Sequence, residues 1–102
     1  MAYDRNFQAV IPDKLLFILD IMFGIWYISR MKLINHIKQH RARLDLTQQD
    51  LAKRVGVRRQ TILAIEKGHF IPSALLAFLI ARELGMKVDD VFEIVEEGEK
   101  TP

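Results

Sequence analysis

The stretch "LTQQDLAKRVGVRRQTILAIEKG", residues 46–68, decides the fold of this chain of 102 residues. Thr47, followed three residues later by Asp50, has the form of a capping box, which predicts that a helix begins here. Gly56 ends the helical pattern, because glycine adopts a positive φ without steric cost and lets the chain turn sharply. The sequence therefore predicts a short helix whose inner face is formed by Leu51, Ala52 and Val55.

A second short helix is predicted over residues 58–67, with Ile62 and Ile65 on its inner face. Two short helices joined by a tight glycine turn form a helix-turn-helix, whose later helix lies in the major groove of DNA. Arg58 and Arg59 lie at the N-terminus of this helix, where the helix dipole and the free N–H groups favour a phosphate. The position of these cations therefore indicates a DNA-binding function.

The charge of the chain is unevenly distributed, although the net charge is only +2. Residues 31–70 carry nine Lys or Arg against three Asp or Glu, a net charge of +6, whereas residues 71–102 carry three against seven, a net charge of −4. A basic field confined to one part of the chain is expected where one face meets a polyanion. The chain has no cysteine, which excludes disulfides and thiol catalysis and fits a cytoplasmic location.

Three separated motifs occur in order: "IKQHRARLD" (37–45), the stretch 46–68 and "IPSALLAFLIARELGMKVDDVF" (71–92). Together they resemble the lambda-repressor-like, Cro/CI-type helix-turn-helix family, also called the XRE family, over about residues 31–92. The resemblance implies an all-α fold, a compact five-helix domain that binds operator DNA as a homodimer and regulates transcription. Its first helix is expected over residues 32–44, and the acidic residues 93–102 are expected to form a solvated tail.

The resemblance also implies the DNA contacts. Arg59 and Gln60 fall on the base-reading positions, where Arg can bond guanine O6 and N7 and Gln can bond adenine N6 and N7. Gln48 is implied to contact a phosphate and to brace the first reading residue, and Ala64 can offer only an apolar contact to a thymine methyl group. The residues implied to position the DNA backbone are Arg58, Thr61, Lys67 and His69.

Two further positions concern the support of the motif. In the resembled family, the positions of Arg41 and Glu66 form a buried ion pair that joins the first helix to the end of the reading helix. Asp45 stands where the family commonly has glycine, and Asp tolerates the left-handed region better than most residues, so we expect the turn to survive.

Other chemistry has little support in the sequence. His36 and His40 are spaced four residues apart and could share a metal ion, but no third ligand completes a site, so we expect exposed or phosphate-facing histidines. No nucleophile-base arrangement, phosphate-binding glycine loop or convincing carboxylate pair occurs. We therefore expect no catalytic residue, no metal site and no cofactor.

Residues 1–30 lie outside the resemblance. Their apolar stretch, "LLFILDIMFGIWYI" (15–28), is short and contains Asp20, so a membrane span is not expected, although a membrane-associated regulator is a third interpretation. The segment lacks the cleavage site of a secretory signal. It is either an additional apolar helix or the product of an early start assignment, and residues 31–102 are expected to suffice for folding and DNA recognition.

The helix expected at 73–85 is apolar nearly all round, so its outer face needs a partner. That partner is a second subunit or the N-terminal segment. The competing function for the whole chain is that of an antitoxin, which silences a partner protein and regulates its own expression through the same domain. The segment "FEIVEE" (92–97) is a candidate strand across a dimer axis. The residues predicted to contact a second subunit are Leu75, Leu79, Phe92, Ile94 and Val95.

Overall fold

The computed structural model describes residues 12–97, so residues 1–11 of the N-terminal segment and 98–102 of the acidic tail lie outside the described residues. The chain divides into two compact units, Met1–Met31 and Lys32–Pro102. In chain order the elements are α1 (Asp13–Ser29), β1 (Met31–Asn35), α2 (Ile37–Arg43), α3 (Gln48–Val55), α4 (Arg59–Glu66), α5 (Ala74–Glu83), α6 (Val88–Val91) and β2 (Phe92–Glu96).

The helix α1 forms most of the described part of the first unit. It begins after Pro12 without a side-chain cap, and none of its residues is buried. The rings of Phe23 and Trp26 lie 5.9 Å apart between centroids, and the Arg30 guanidinium lies 5.0 Å from the centroid of the Trp26 ring, within the range of a cation–π interaction. Within residues 12–97 no helix is both long enough and apolar enough to cross a membrane.

The expectation of an all-α fold is wrong in one respect, because β1 and β2 form a two-stranded sheet. Residues 32–35, predicted as the start of the first helix, lie in β1 (Met31–Asn35), so α2 begins only at Ile37. The His36 N–H donates to the Val91 carbonyl at 2.8 Å, which joins the end of β1 to the start of β2. β2 in turn takes residues 93–96 from the predicted solvated tail. The strand expected at "FEIVEE" is present, and its partner is β1 of the same chain.

The helix-turn-helix forms from the local signals that the sequence contains. The Asp50 N–H donates to Thr47 Oγ1 and the Thr47 N–H donates to the Asp50 carboxylate, both at 3.0 Å, so the capping box at α3 is complete. Hydrogen bonds from Thr47, above all from its backbone N–H, hold the pKa of Asp50 below its ordinary value. Gly56 ends α3 with φ 79°, and Asp45 adopts the left-handed region with φ 55°. Both turns are as predicted.

The second unit packs around one apolar core, with which β2 is continuous. Phe92, at the start of β2, is only 8% exposed and belongs to this core. The prediction that Phe92 contacts a second subunit is therefore wrong, because its side chain is already covered within its own chain. Burial of each large apolar side chain stabilises the domain by about 1.5 to 3 kcal/mol. The largest fully buried side chains are Ile37, Leu51, Ile62, Ile65, Ile80, Leu84 and Val91.

Candidate nucleic-acid interface

The helix α4 has one buried side and one exposed side. Ile62 and Ile65 are buried to 2% exposure or less, and they fix the side of α4 that meets the core. Arg59 and Gln60 lie in the first turn and are exposed, as is Lys67 at the C-terminal cap. Because Gln60, Ala64 and Lys67 are spaced four and three residues apart, they share the side opposite the core. Thr61 and Ala64 are both half-buried. The side of α4 opposite the core therefore carries polar and cationic groups, with the small apolar side chain of Ala64 between them.

The N-terminus of α4 is open to an anion. Arg58 is the N-cap residue, with φ −80° and ψ 154°, and its side chain makes no capping hydrogen bond. The first N–H groups of a helix have no partner within the helix, and the helix dipole adds positive potential there. Exposed Arg58 and Arg59 add two guanidinium groups at the same place. This end of α4 can therefore bind a phosphate oxygen through both backbone and side chains.

A buried ion pair fixes the other end of α4. Arg41 Nε donates to Glu66 Oε2 at 2.8 Å, and Arg41 Nη2 donates to Glu66 Oε1 at 3.0 Å, which is a bidentate arrangement. The side chains are only 12% and 9% exposed. The third donor of the guanidinium, Nη1, bonds the Leu46 carbonyl at 2.8 Å. One side chain of α2 therefore holds both the last residue of α4 and the turn before α3.

The side chain of Gln48 is directed differently from the expectation. The resemblance implied that it braces the first reading residue, but its amide Nε2 donates to Glu66 Oε1 at 3.3 Å, at the opposite end of α4. Gln48 nevertheless lies beside Arg59, because both line an open depression between the start of α3 and the start of α4. This depression, which we call the α3 side of the interface, is lined by Arg41, Thr47, Gln48, Gln49 and Arg59.

A second open depression lies along α4 and is lined by Gln60, Thr61, Ala64, His69 and Phe70. We call it the Phe70 side of the interface. It exists because Gly68 has φ 77° and reverses the chain: the His69 N–H bonds the Ala64 carbonyl at 2.9 Å and the Gly68 N–H bonds the Ile65 carbonyl at 3.0 Å. These two bonds form a Schellman motif, which returns residues 69 and 70 to the side of the helix. Sequence reasoning missed Phe70; an aromatic residue two positions after the glycine that ends α4 was the available signal.

Sequence reasoning also missed Asn35, at the end of β1. Its amide Nδ2 donates to the Ile65 carbonyl at 2.8 Å, and its Oδ1 accepts the Ile37 N–H at 3.3 Å. The first bond gives the Ile65 carbonyl, which also accepts the Gly68 N–H, a further donor, and the second satisfies an N–H at the start of α2 that has no partner within the helix. Asn35 therefore orients α4 relative to α2.

The two histidines, His36 at the N-cap of α2 and His40 within α2, lie in different surroundings, and only His40 departs from the expectation of an exposed ring. His40 is buried at 9% exposure, with its Nε2 3.2 Å from the Asp90 carbonyl oxygen, so it does not face solvent or phosphate. His36 Nε2 lies 3.3 Å from a carboxylate oxygen of Glu93 on β2. Both rings contact the segment formed by α6 and β2. The periodicity of the sequence did not predict that this segment lies next to α2. No group of three or more metal-ligating side chains occurs within residues 12–97.

Comparison with known proteins gives a consistent set of relatives. The family model described as helix-turn-helix matches residues 37–91. An HTH-type transcriptional regulator of Methanothermobacter thermautotrophicus is 54% identical over 65 residues, which are 63% of this chain and 94% of that protein. The HTH-type transcriptional regulator YgzD of Bacillus subtilis is 49% identical over 64 residues, which are 63% of this chain and 97% of that protein.

The chain also resembles solved structures. The clp gene regulator ClgR of Corynebacterium glutamicum superposes with a TM-score of 0.51 at 26% sequence identity. The similarity covers 53% of this chain and 57% of the chain of that regulator.

Proposed function

Because this chain belongs to the XRE-type helix-turn-helix family, we propose that it is a transcriptional regulator that binds double-stranded DNA and reads its sequence with α4 in the major groove. One observation carries this proposal: the first turn of α4 exposes Arg59 and Gln60 to solvent, while the buried pair of Arg41 and Glu66 holds its far end. A rigidly held helix with an exposed polar first turn fits the groove. We propose no catalytic step and no cofactor for this protein, and we propose that it binds its DNA in the cytoplasm.

The exposed side chains divide by their chemistry. Arg59 bonds guanine O6 and N7, and Gln60 bonds the N6 and N7 of adenine. Ala64 carries no polar group and contributes an apolar contact. Phosphate contacts fix the register of the helix and carry no sequence information. The residues that we assign to those contacts are Gln48, Arg58, Thr61, Lys67 and His69.

Binding to a library of random DNA tests the assignment. Selection with the full chain should yield a preferred site, and Arg59→Ala should lose about 1 to 3 kcal/mol on that site and relax the preference at one base pair. Lys67→Ala is the matched control, because it removes one exposed cation that we assign to phosphate. It should weaken all sequences about equally and reduce the slope of log affinity against log salt by about one. If Arg59→Ala leaves the preferred base unchanged, α4 is not the reader.

We also propose that the protein binds DNA as a homodimer, because one small domain makes few base contacts. The outer face of α5 supplies Leu75 at 71% exposure and Phe78 at 61%, and β2 supplies Ile94 at 71%. Leu79 and Val95 are half-buried at the edges of these faces. Two reading helices would then contact half-sites about 34 Å apart. Sedimentation of the free protein and of its complex with a palindromic site tests this, and a monomer in both would refute it.

The same exposed apolar side chains favour a second candidate function. Ile71, Leu75 and Phe78 are each more than 60% exposed, and apolar side chains that cluster on a surface commonly mark a protein contact. An antitoxin-type protein would cover them with a partner protein and regulate its own expression through α4. Sedimentation separates the two candidates: a stable homodimer buries these residues by itself, whereas a monomer on DNA leaves them for another protein.

A further inference from the structure

The two sides of the interface differ in their chemistry. The α3 side is lined by polar and cationic residues, whereas the Phe70 side contains an aromatic ring and the methyl group of Ala64. Phe70 is 47% exposed, although water disfavours an aromatic surface of this size. The Schellman motif at Gly68 fixes the backbone immediately before Phe70, and the Phe70 ring lines the depression beside α4.

We propose that Phe70 and Ala64 bind the 5-methyl group of a thymine and so select the base pair next to Gln60. This inference rests on the proposed function and adds a specificity-determining residue, Phe70, outside the reading helix. Gln60 shares the depression with Phe70, and the side chains of Gln60, Thr61 and His69 have no hydrogen-bond partner within residues 12–97. The Gln60 amide is therefore available to a base edge.

The chemistry of the major groove joins these two contacts. An adenine offers its N6 and N7 to a glutamine amide, and the thymine paired with that adenine carries its methyl group in the same groove. A base pair that satisfies Gln60 therefore brings an apolar group close to the same depression. Thr61 lines the depression with a side chain that has both a methyl group and a hydroxyl. Cytosine has no methyl group at this place, so an apolar contact there favours thymine.

The size of the effect follows from the one group that is removed. Burial of a CH₂ or CH₃ group contributes about 0.8 kcal/mol, which corresponds to about a fourfold change in affinity. Replacement of thymine by uracil removes the methyl group and leaves the hydrogen-bonding edge of the base unchanged. The loss should therefore occur at one thymine of each half-site, and it should depend on Phe70.

The experiment begins with the preferred site selected by the full chain from random DNA. Each thymidine of that site is replaced in turn by deoxyuridine, and the affinity is measured at fixed salt concentration. We expect about a fourfold loss at one position, the thymine of the base pair whose preference Gln60→Ala relaxes, and no such loss elsewhere. Equal affinity for every uracil-substituted site would overturn the inference, while sequence-specific binding by α4 would still stand. Failure to select any site would refute the proposed function itself.

Two variants then attribute the effect to Phe70. Phe70→Ala should bind the thymine and uracil sites equally, so the ratio of the two affinities falls from about four to about one. Leu44→Ala is the matched control: Leu44 is also an exposed large apolar residue of this unit, at 39% exposure, but it lines neither the depression nor the proposed dimer face. It should retain the ratio of the unmodified protein. The inference is overturned if Phe70→Ala keeps the ratio, or if Phe70→Ala instead converts a dimer into a monomer, because Phe70 would then belong to a protein contact.

Discussion

Replacement of Arg41 by methionine is expected to lower the free energy of unfolding by about 3 to 5 kcal/mol. Two guanidinium N–H groups donate to Glu66 and a third donates to the Leu46 carbonyl, all within 3.0 Å. With both charged side chains about nine-tenths buried, the variant leaves a carboxylate whose remaining donor is Gln48 at 3.3 Å. A loss of this size is a large part of the 5 to 15 kcal/mol that stabilises a typical domain.

Urea unfolding followed by circular dichroism measures this loss. Arg82→Met is the matched control, because the Arg82 side chain is 72% exposed and lies 3.9 Å from Glu83, so its loss should change stability by less than about 0.5 kcal/mol. In a third variant, Arg41→Met combined with Glu66→Met, no unpaired charge remains, and part of the stability should return. The single variant Glu66→Met completes the comparison. The reasoning is refuted if Arg41→Met costs no more than Arg82→Met, or if the double variant loses as much stability as the sum of the losses in Arg41→Met and Glu66→Met.

Three other outcomes are expected, each measured by chemical or thermal unfolding and, for the truncations, also by DNA titration. Thr47→Ala should lower the free energy of unfolding by about 1 kcal/mol. Because the fold lowers the pKa of Asp50, its carboxylate stabilises the fold above the ordinary pKa of Asp, and this stabilisation is lost as the pH falls through the lowered pKa. Thr47→Ala removes the hydroxyl that contributes to the lowered pKa, so the stability of the variant should depend less on acid pH. Asn35→Ala should cost about 1 kcal/mol for the lost bond to the end of α4, and unchanged stability would show that this bond is not needed. Removal of residues 1–30 should leave the unfolding of the second unit and its DNA affinity intact, whereas removal of residues 1–35 also deletes β1 and should destabilise it.

Features that depend on local sequence could be predicted. The capping box of Thr47, the left-handed turn at Gly56 and the inward direction of Ile62 and Ile65 each involve residues within one or two helical turns. These signals follow from side-chain hydrogen bonding, backbone freedom and the period of the helix. They were enough to place α3 and α4 and to identify the exposed first turn.

Features that depend on distant residues could not be predicted in this way. β1 forms by pairing with β2, which lies about sixty residues later in the chain. The periodicity of the sequence around β1 contains no information on this partner and also fits a helix. His40 is buried because α6 passes over it, and Asn35 reaches α4 across thirty residues of sequence. The exposure of Phe70 beside Gln60 likewise depends on the direction that the chain takes after Gly68.

The central claim is that α4 reads bases in the major groove, and interference by DNA methylation tests it most directly. Dimethyl sulfate methylates guanine at N7 in the major groove and adenine at N3 in the minor groove. On the selected site, methylation of the guanine read by Arg59 should block binding of the unmodified protein, whereas Arg59→Ala should be indifferent to it. Methylation of adenine N3 at the same base steps should have little effect. Interference confined to adenine N3, or an equal effect of guanine methylation on both proteins, would contradict the account.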